Sequence, residues 1–313
     1  MNSVTVLMPV RDGSYFLRDS IKCIEENTAV GDEIIVIDDG STDETGSILK
    51  SWSKQNERVR ILQNPGKGLV DALNHGVNES SNNWIARFDV DDKYKHDRIL
   101  KQRSMISQSV SAIFCDYDFF TPFGHSLGIV PTAIDNLSTI ISLISSQRTP
   151  HPGALIKKES LVEVGGYRSL DYPAEDISLW LRLAKVGHLI SVPEVLLHYR
   201  ISRNSISAVK RTDAQRRTRE LFYEIGLNKE VVLDGLYNWQ NIFESYSKIA
   251  LSSERKILFF RDLRNSLKHL DLHQKYAREV GKIRREIVFD ASNALPFLGL
   301  VRDKLRRNIY RSY

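Results

Sequence analysis

The first hundred residues switch repeatedly between two hydrophobic periods, and few folds accommodate that. Val4–Val10 is an apolar, β-branched run of strand length, and Leu17, Ile21 and Ile24 follow at the 3–4 spacing of a helix face. Residues 33–37 read as a second strand and 43–52 as a second helix. Val59–Gln63 and 67–77 repeat the pair, and 84–88 supplies a fourth strand. Strands alternating with helices of about 10–15 residues predict βαβ units, hence a mostly parallel sheet with helices on both faces. In such sheets ligands bind beyond the carboxyl ends of the strands, so those ends are where chemistry is expected. The middle, about 110–205, mixes strand-like pieces (111–115, 154–156, 195–199) with Pro- and Gly-bearing loops and one good helix, 175–186. From about 209 the pattern is helical, and the expected boundary separates residues 1–207 from a helical region, 208–313.

Three acidic groups fall at predicted element ends. The second strand runs into Asp38-Asp39-Gly40-Ser41-Thr42-Asp43, where Gly40 permits a tight turn and Ser41 or Thr42 can cap the next helix. The fourth runs into Phe88-Asp89-Val90-Asp91-Asp92. In an extended chain Asp89 and Asp91 share a face, and two carboxylates so close repel unless a cation lies between them. Hard oxygen ligands suit Mg²⁺ or Mn²⁺, which keep open positions for phosphate oxygens. The third group is Glu175-Asp176 at the start of the helix 175–186. Asp176 there can complement the helix dipole, or serve as a general base on a rigid element.

Charge is distributed unevenly. Residues 1–208 carry 22 Lys+Arg and 26 Asp+Glu, whereas residues 209–313 carry 22 and 13. An acidic first part with a basic tail implies a site in one and an anionic surface met by the other. Two cysteines, Cys23 and Cys115, exclude a disulfide scaffold and a Cys-rich metal site. There is no apolar run of the ~18–20 residues a spanning helix needs, and the N-terminus lacks a basic, cleavable leader. The expected location is therefore the cytoplasm.

Taken in order, these pieces resemble family 2 glycosyltransferases with the GT-A fold. The resemblance runs through Val4–Val10 with Arg11 and Asp12, then 34–43, 64–76, 84–103, 151–167, 174–186 and 199–207. It implies a Rossmann-like, mostly parallel sheet flanked by helices, followed by the C-terminal helical region. It implies that Asp39 hydrogen-bonds a uracil ring beside Pro9, that Lys67 meets nucleotide or phosphate, and that Asp89 and Asp91 are the DxD pair. Of these, Asp91 is the direct ligand of Mn²⁺ or Mg²⁺ and Asp89 lies nearer the ribose. Arg87 steadies the carboxylates, contacts phosphate or forms a core-edge ion pair. Asp176 becomes the catalytic base and Glu175 orients the acceptor.

The implied activity is inverting transfer of one sugar from a nucleotide sugar, a UDP-sugar by family habit. The acceptor is a glycan or polyprenyl-diphosphate-linked glycan, as in bacterial O-antigen or capsule synthesis. The family commonly carries Tyr-Arg-x-His, but here the chain reads Tyr199-Arg200-Ile201-Ser202-Arg203, with Ser202 in the histidine's place. Arg200 or Arg203 is the candidate for the phosphate contact, and His151 for the acceptor pocket.

The segment 282–313 interleaves eight basic and three acidic residues with apolar ones. It fits either a helix packed on the domain or peripheral contact with anionic membrane on the cytoplasmic face of the inner membrane. Two rivals compete: a nucleotidyltransferase making nucleotide sugars, and a non-enzymatic protein binding an anionic surface. The first wants a Gly-rich phosphate loop after the first strand, which residues 9–14 do not offer; the second leaves the acidic sites unexplained. No nucleic-acid partner is expected.

Overall fold

The computed structural model describes residues 2–145, 149–202, 205–225, 229–238, 240–242, 244, 252–269 and 274–292. The expected βαβ units are present: β1 (Val4–Val10), α1 (Ser14–Asn27), β2 (Glu33–Asp38), α2 (Thr45–Gln55), β3 (Val59–Gln63), α3 (Leu69–Glu79) and β4 (Trp84–Arg87). After them come β5 (Lys93–Tyr94), α4 (Arg98–Arg103), β6 (Val110–Phe120), β7 (Ser126–Val130), α5 (Asn136–Ser145), β8 (Leu155–Lys157), α6 (Lys158–Glu163), α7 (Glu175–Leu183) and β9 (His188–Arg200). The C-terminal helices are α8 (Ile206–Val209), α9 (Arg211–Ile225), α10 (Lys229–Tyr237), α11 (Ser252–His269) and α12 (Ala277–Ser292). The stretch 293–313, most of the basic tail, lies outside the described residues.

The nine strands among the described residues form one sheet in the order β3-β2-β1-β4-β8-β6-β9-β5, with β7 paired to β6. β3, β2, β1 and β4 are parallel, in register Val6–Ile34, Ile34–Val59 and Val6–Ala86. β8 runs antiparallel between β4 and β6, and β6 and β9 are again parallel. β1 is buried along its whole length because both sheet faces are covered, and alternate residues feed two cores. Val4, Val6 and Met8 face Leu17, Ile24, Leu49 and Trp52 of α1 and α2. Leu7 faces Val70, Leu73 and Val77 of α3, in the core that also takes Leu179–Leu183 of α7. At Gly76 a Cβ would stand 2.1 Å from Leu7 Cδ1, so α3 lies closer to β1 than any side chain there would allow.

The C-terminal helices share packing with the sheet. A third core joins Ile140, Ile141 and Ile144 of α5 to Leu236, Phe259, Leu263, Leu267, Val280 and Ile283. Leu221 of α9 belongs to the second core. Two ion pairs cross the same junction: Arg217 to Asp171 at 2.6 Å, and Arg255 of α11 to Asp116 of β6 at 2.5 Å, the latter with both side chains 2% exposed. Asp116 also accepts the Thr132 N–H (2.8 Å) and hydroxyl (3.0 Å), and Arg255 donates to the Thr132 carbonyl. Breaking a buried pair from one side strands the other charge. Arg255→Met is therefore expected to cost about 3–5 kcal/mol in denaturant unfolding. A loss below about 1 kcal/mol, the level of an exposed pair, would mean that the tie is not carried here.

Candidate active site

The carboxyl ends of β1, β2 and β4 form one rim, and the loops beyond them are cross-tied. Asp12, with φ +50°, accepts the Thr42 N–H at 2.7 Å, joining the loop after β1 to the loop after β2. Pro9 is buried in β1 opposite Ile37. Asp39 follows β2, and its N–H donates to the Val10 carbonyl at 2.9 Å. Its carboxylate accepts from Asn64 Nδ2 at 2.6 Å and from the Gly68 N–H at 3.0 and 3.1 Å. Gly68, with φ +85°, opens α3 in a conformation that favours glycine. Asp39 thereby fixes the loop bearing Lys67, whose side chain is exposed.

At the next strand end the chain departs from simple alternation. β4 stops at Arg87 and the backbone turns at Val90 and Asp91. The two aspartates are thus gathered by a turn rather than by a shared face of one strand. Arg87, 1% exposed, reaches Asp89 at 2.6 Å through Nη2 and donates through Nη1 to the Phe88 carbonyl. Burial, reinforced by the neighbouring Asp89 charge, pushes the Asp91 carboxyl up to about 6. Asp92 is buried, shifted upward first by burial and then by Asp91, and its Oδ2 has no hydrogen-bond partner.

Across from them stands the start of α7. Glu175 is buried, its Oε2 has no hydrogen-bond partner, and burial followed by the Asp176 charge raises it to about 8. Asp176 is half-buried and accepts the Ile177 N–H at 2.7 Å. Burial lifts it to about 6 against the pull of Arg87. Arg87 and Asp89 act electrostatically on both α7 carboxylates, so strand end and helix start face a common space. One wall is a buried pair: His151 Nε2 lies 2.9 Å from the Tyr167 hydroxyl, and burial keeps the imidazole neutral. Asn74 of α3 clamps the Tyr167 backbone at 2.8 and 2.9 Å.

Arg200, at the end of β9, closes the rim. Its Nε donates to the Asp91 carbonyl at 2.7 Å and its backbone N–H to Asp92 Oδ1 at 2.7 Å. The guanidinium lies 5.0 and 4.5 Å from the ring centroids of Phe16 and Phe120. Its observed partners are thus the acidic turn, two rings and, from Nη1 at 3.5 Å, the Pro122 carbonyl, while Arg203 lies outside the described residues. The Tyr-Arg motif is the sequence signal that marks this residue, but no pattern encodes that its side chain bonds backbone carbonyls. His198 sits 3.6 Å from Asp118.

The donor set can be tested against a divalent cation. Carboxylate oxygens crowd at Asp89 and Asp91, and Asp92 keeps an unpartnered oxygen beside them, which is the chemistry of a hard-cation site. Among the described residues no three His, Cys, Asp or Glu side chains form a complete cage. A cation here would be held by one or two carboxylates, with water and phosphate completing its shell, as Mg²⁺ and Mn²⁺ allow.

A curled, mostly parallel α/β sheet with an acidic turn at the rim opposite an acidic helix start is the GT-A fold. Solved structures share that fold. A mannosyltransferase from Pyrobaculum calidifontis, in complex with GDP-Man and Mn²⁺, superposes with a TM-score of 0.62 at 15% identity, over 99% of this chain and 84% of its own. Residues 1–349 of Staphylococcus aureus TarS with UDP-GlcNAc give 0.61 at 14%, over 95% and 93%. Residues 5–127 match the model of glycosyl transferase family 2. An Escherichia coli enzyme described as UDP-Gal:alpha-D-GlcNAc-diphosphoundecaprenol beta-1,3-galactosyltransferase is 29% identical over 223 residues, 65% of this chain and 75% of that one. Over the part that carries β1–β4 and the acidic turn, the chain is thus similar to glycosyltransferase family 2.

Proposed function

We propose that this glycosyltransferase moves one sugar from a nucleotide sugar, a UDP-sugar, to a hydroxyl of a glycan or polyprenyl-diphosphate-linked glycan in bacterial polysaccharide synthesis, with inversion. The observation that carries this reading is the convergence of Asp89 and Asp91 with Glu175 and Asp176 around buried Arg87. The E. coli relative, named for a UDP-sugar donor and a lipid-linked acceptor, supports it. In this reading the catalytic unit is residues 1–207, and 208–313 is a helical region whose basic end contacts anionic membrane on the cytoplasmic face. No helix among the described residues is long and apolar enough to cross a membrane.

Pro9 and Asp39 bound the base, Lys67 meets the nucleotide or its phosphates, and Asp89 lies toward the ribose. Asp91, with Asp89, would hold Mn²⁺ or Mg²⁺, which when bound neutralises the departing diphosphate. Asp176 takes the proton of the acceptor hydroxyl as its oxygen bonds the anomeric carbon. The bond from that carbon to the diphosphate oxygen breaks on the opposite face, so configuration inverts. Glu175, kept protonated by burial, can donate a hydrogen bond to the acceptor while Asp176 accepts one.

Thermal unfolding against UDP, GDP, dTDP and their sugars, with and without Mn²⁺, tests the donor. A ligand at about 100 times its dissociation constant adds about 2.7 kcal/mol. The expected result is a Mn²⁺-dependent rise with UDP and one UDP-sugar. A rise with another nucleotide replaces the donor, and no rise with any removes the reading.

A further inference from the structure

Beside the start of α7 lies a cavity of about 360 Å³ whose lining shares no residue with the donor site. Tyr172 and Pro173 form its wall on the catalytic side, and Lys210, Asp213, Arg216 and Glu220 of the α8–α9 segment line the other. Its lining is polar and charged, unlike an apolar gap between packed helices. Pro173 precedes Asp176 by three residues, no more than about 11 Å of chain. The cavity is therefore a neighbour of the acceptor hydroxyl in the reading above.

The charges in it are unequally committed. Arg217 is taken up by Asp171 (2.6 Å), Glu220 (3.2 Å) and Glu224 (2.7 Å), and serves as scaffold. Among the described residues Arg216 meets only Asp213, at 3.3 Å, with both side chains largely exposed, an arrangement that holds weakly. Lys210 has no carboxylate partner among the described residues; its ammonium lies 4.6 Å from the centroid of the Tyr172 ring. One uncommitted ammonium and one loosely held guanidinium lie in a polar cleft together with the acceptors of Asp213 and Glu220. That arrangement fits a group carrying both phosphate and hydroxyls.

We propose that this cavity binds the phosphate of a glycosyl-phosphate acceptor, through Lys210 and Arg216, while the acceptor sugar lies against Glu175 and Asp176. The inference rests on the proposed transferase reading and assigns the acceptor's phosphate a binding place in it. The phosphate is shared by a lipid-linked sugar diphosphate and a free sugar phosphate, and the two are separable by experiment.

The test is calorimetric titration of N-acetylglucosaminyl diphosphate bearing a short alkyl chain, of the same sugar 1-phosphate, and of its neutral alkyl glycoside. Each is added to the full chain, to Lys210→Ala/Arg216→Ala and to Asp91→Asn. The neutral glycoside is expected to bind the wild type about tenfold or more weakly than the alkyl diphosphate, the scale of charge-assisted hydrogen bonds. The double variant should erase that difference, whereas Asp91→Asn should keep it. Equal binding of the 1-phosphate and the alkyl diphosphate would assign the site to the phosphate alone; a preference for the latter assigns it to a lipid-linked acceptor. No binding of either phosphate to the wild type, or an equal loss in Asp91→Asn, overturns the proposal. Both varied side chains are exposed, so unchanged thermal unfolding is expected. Sugar transfer from nucleotide sugars to the alkyl diphosphate is measured separately. Phosphate binding at the cavity without transfer from any of them would leave the cavity and remove the transferase reading.

Discussion

Asp176→Asn should lower turnover by about 10²–10⁴-fold, the contribution of a positioned general base, while nucleotide-sugar binding stays within a few-fold of wild type. The substitution keeps the size of the side chain and leaves an acceptor oxygen for the Ile177 N–H, so α7 keeps its first turn. The pH profile carries a second signature. Burial raises Asp176 to about 6, and a base must be ionised to work. In the wild type kcat/KM is therefore expected to rise with pH through about 6, above the ordinary aspartate range, and Asn should remove that limb. Raised carboxyl groups also mean that the fold gives up stability as pH rises through their folded values, because burial opposes ionisation. The site is thus held in place at working pH by the rest of the core. Normal turnover by the Asn variant, or an acid limb near 4, would take the base role away from Asp176.

The second large effect is expected at Arg87. Its guanidinium is 1% exposed and is the cation that faces Asp89 directly while acting on Asp91, Glu175 and Asp176. Arg87→Met fills similar volume and removes the charge. It should destabilise the protein toward the lower end of about 3–5 kcal/mol, because Asp89 is one-third exposed and solvent screens part of the loss. Its acid limb should move to higher pH, since a cation that favours ionised Asp176 is gone. A stable Met variant with an unmoved profile would reduce Arg87 to packing.

The sheet was readable because its information is local. Apolar runs of strand length, amphipathic helices between them and acidic residues after the runs are all within short windows, and β1 to β4 follow accordingly. Asp39, Asp89, Asp91, Glu175 and Asp176 were visible as residues at element ends, since a carboxylate after a buried strand or at a helix start is unusual. How they meet was less visible. Alternation puts Asp89 and Asp91 on one face, yet the turn at Val90 brings them together instead. The clamp of Arg200 on the Asp91 carbonyl joins residues from β9 and from the loop after β4 through a backbone atom. The pairing of His151 with Tyr167, and of Arg255 with Asp116, depends on tertiary packing that no spacing rule contains. Strand β9 was readable only over 195–199, because its first half lacks a clean period.

The position of β6 has a consequence for how the protein is made. Its 11 residues lie between β8 and β9, and both partners are synthesised after it. A ribosome that has delivered residue 127, where the family match ends, has delivered an apolar strand before any of its partners is complete, since even the short β7 runs on to Val130. Arg200, which fixes the acidic turn, arrives still later. The nascent chain therefore holds an unpaired, aggregation-prone edge for more than seventy residues of synthesis, roughly 4–15 s at ordinary elongation rates. Chaperone dependence should concentrate in that interval, and slow codons placed before residue 200 should lower soluble yield more than the same codons placed after it.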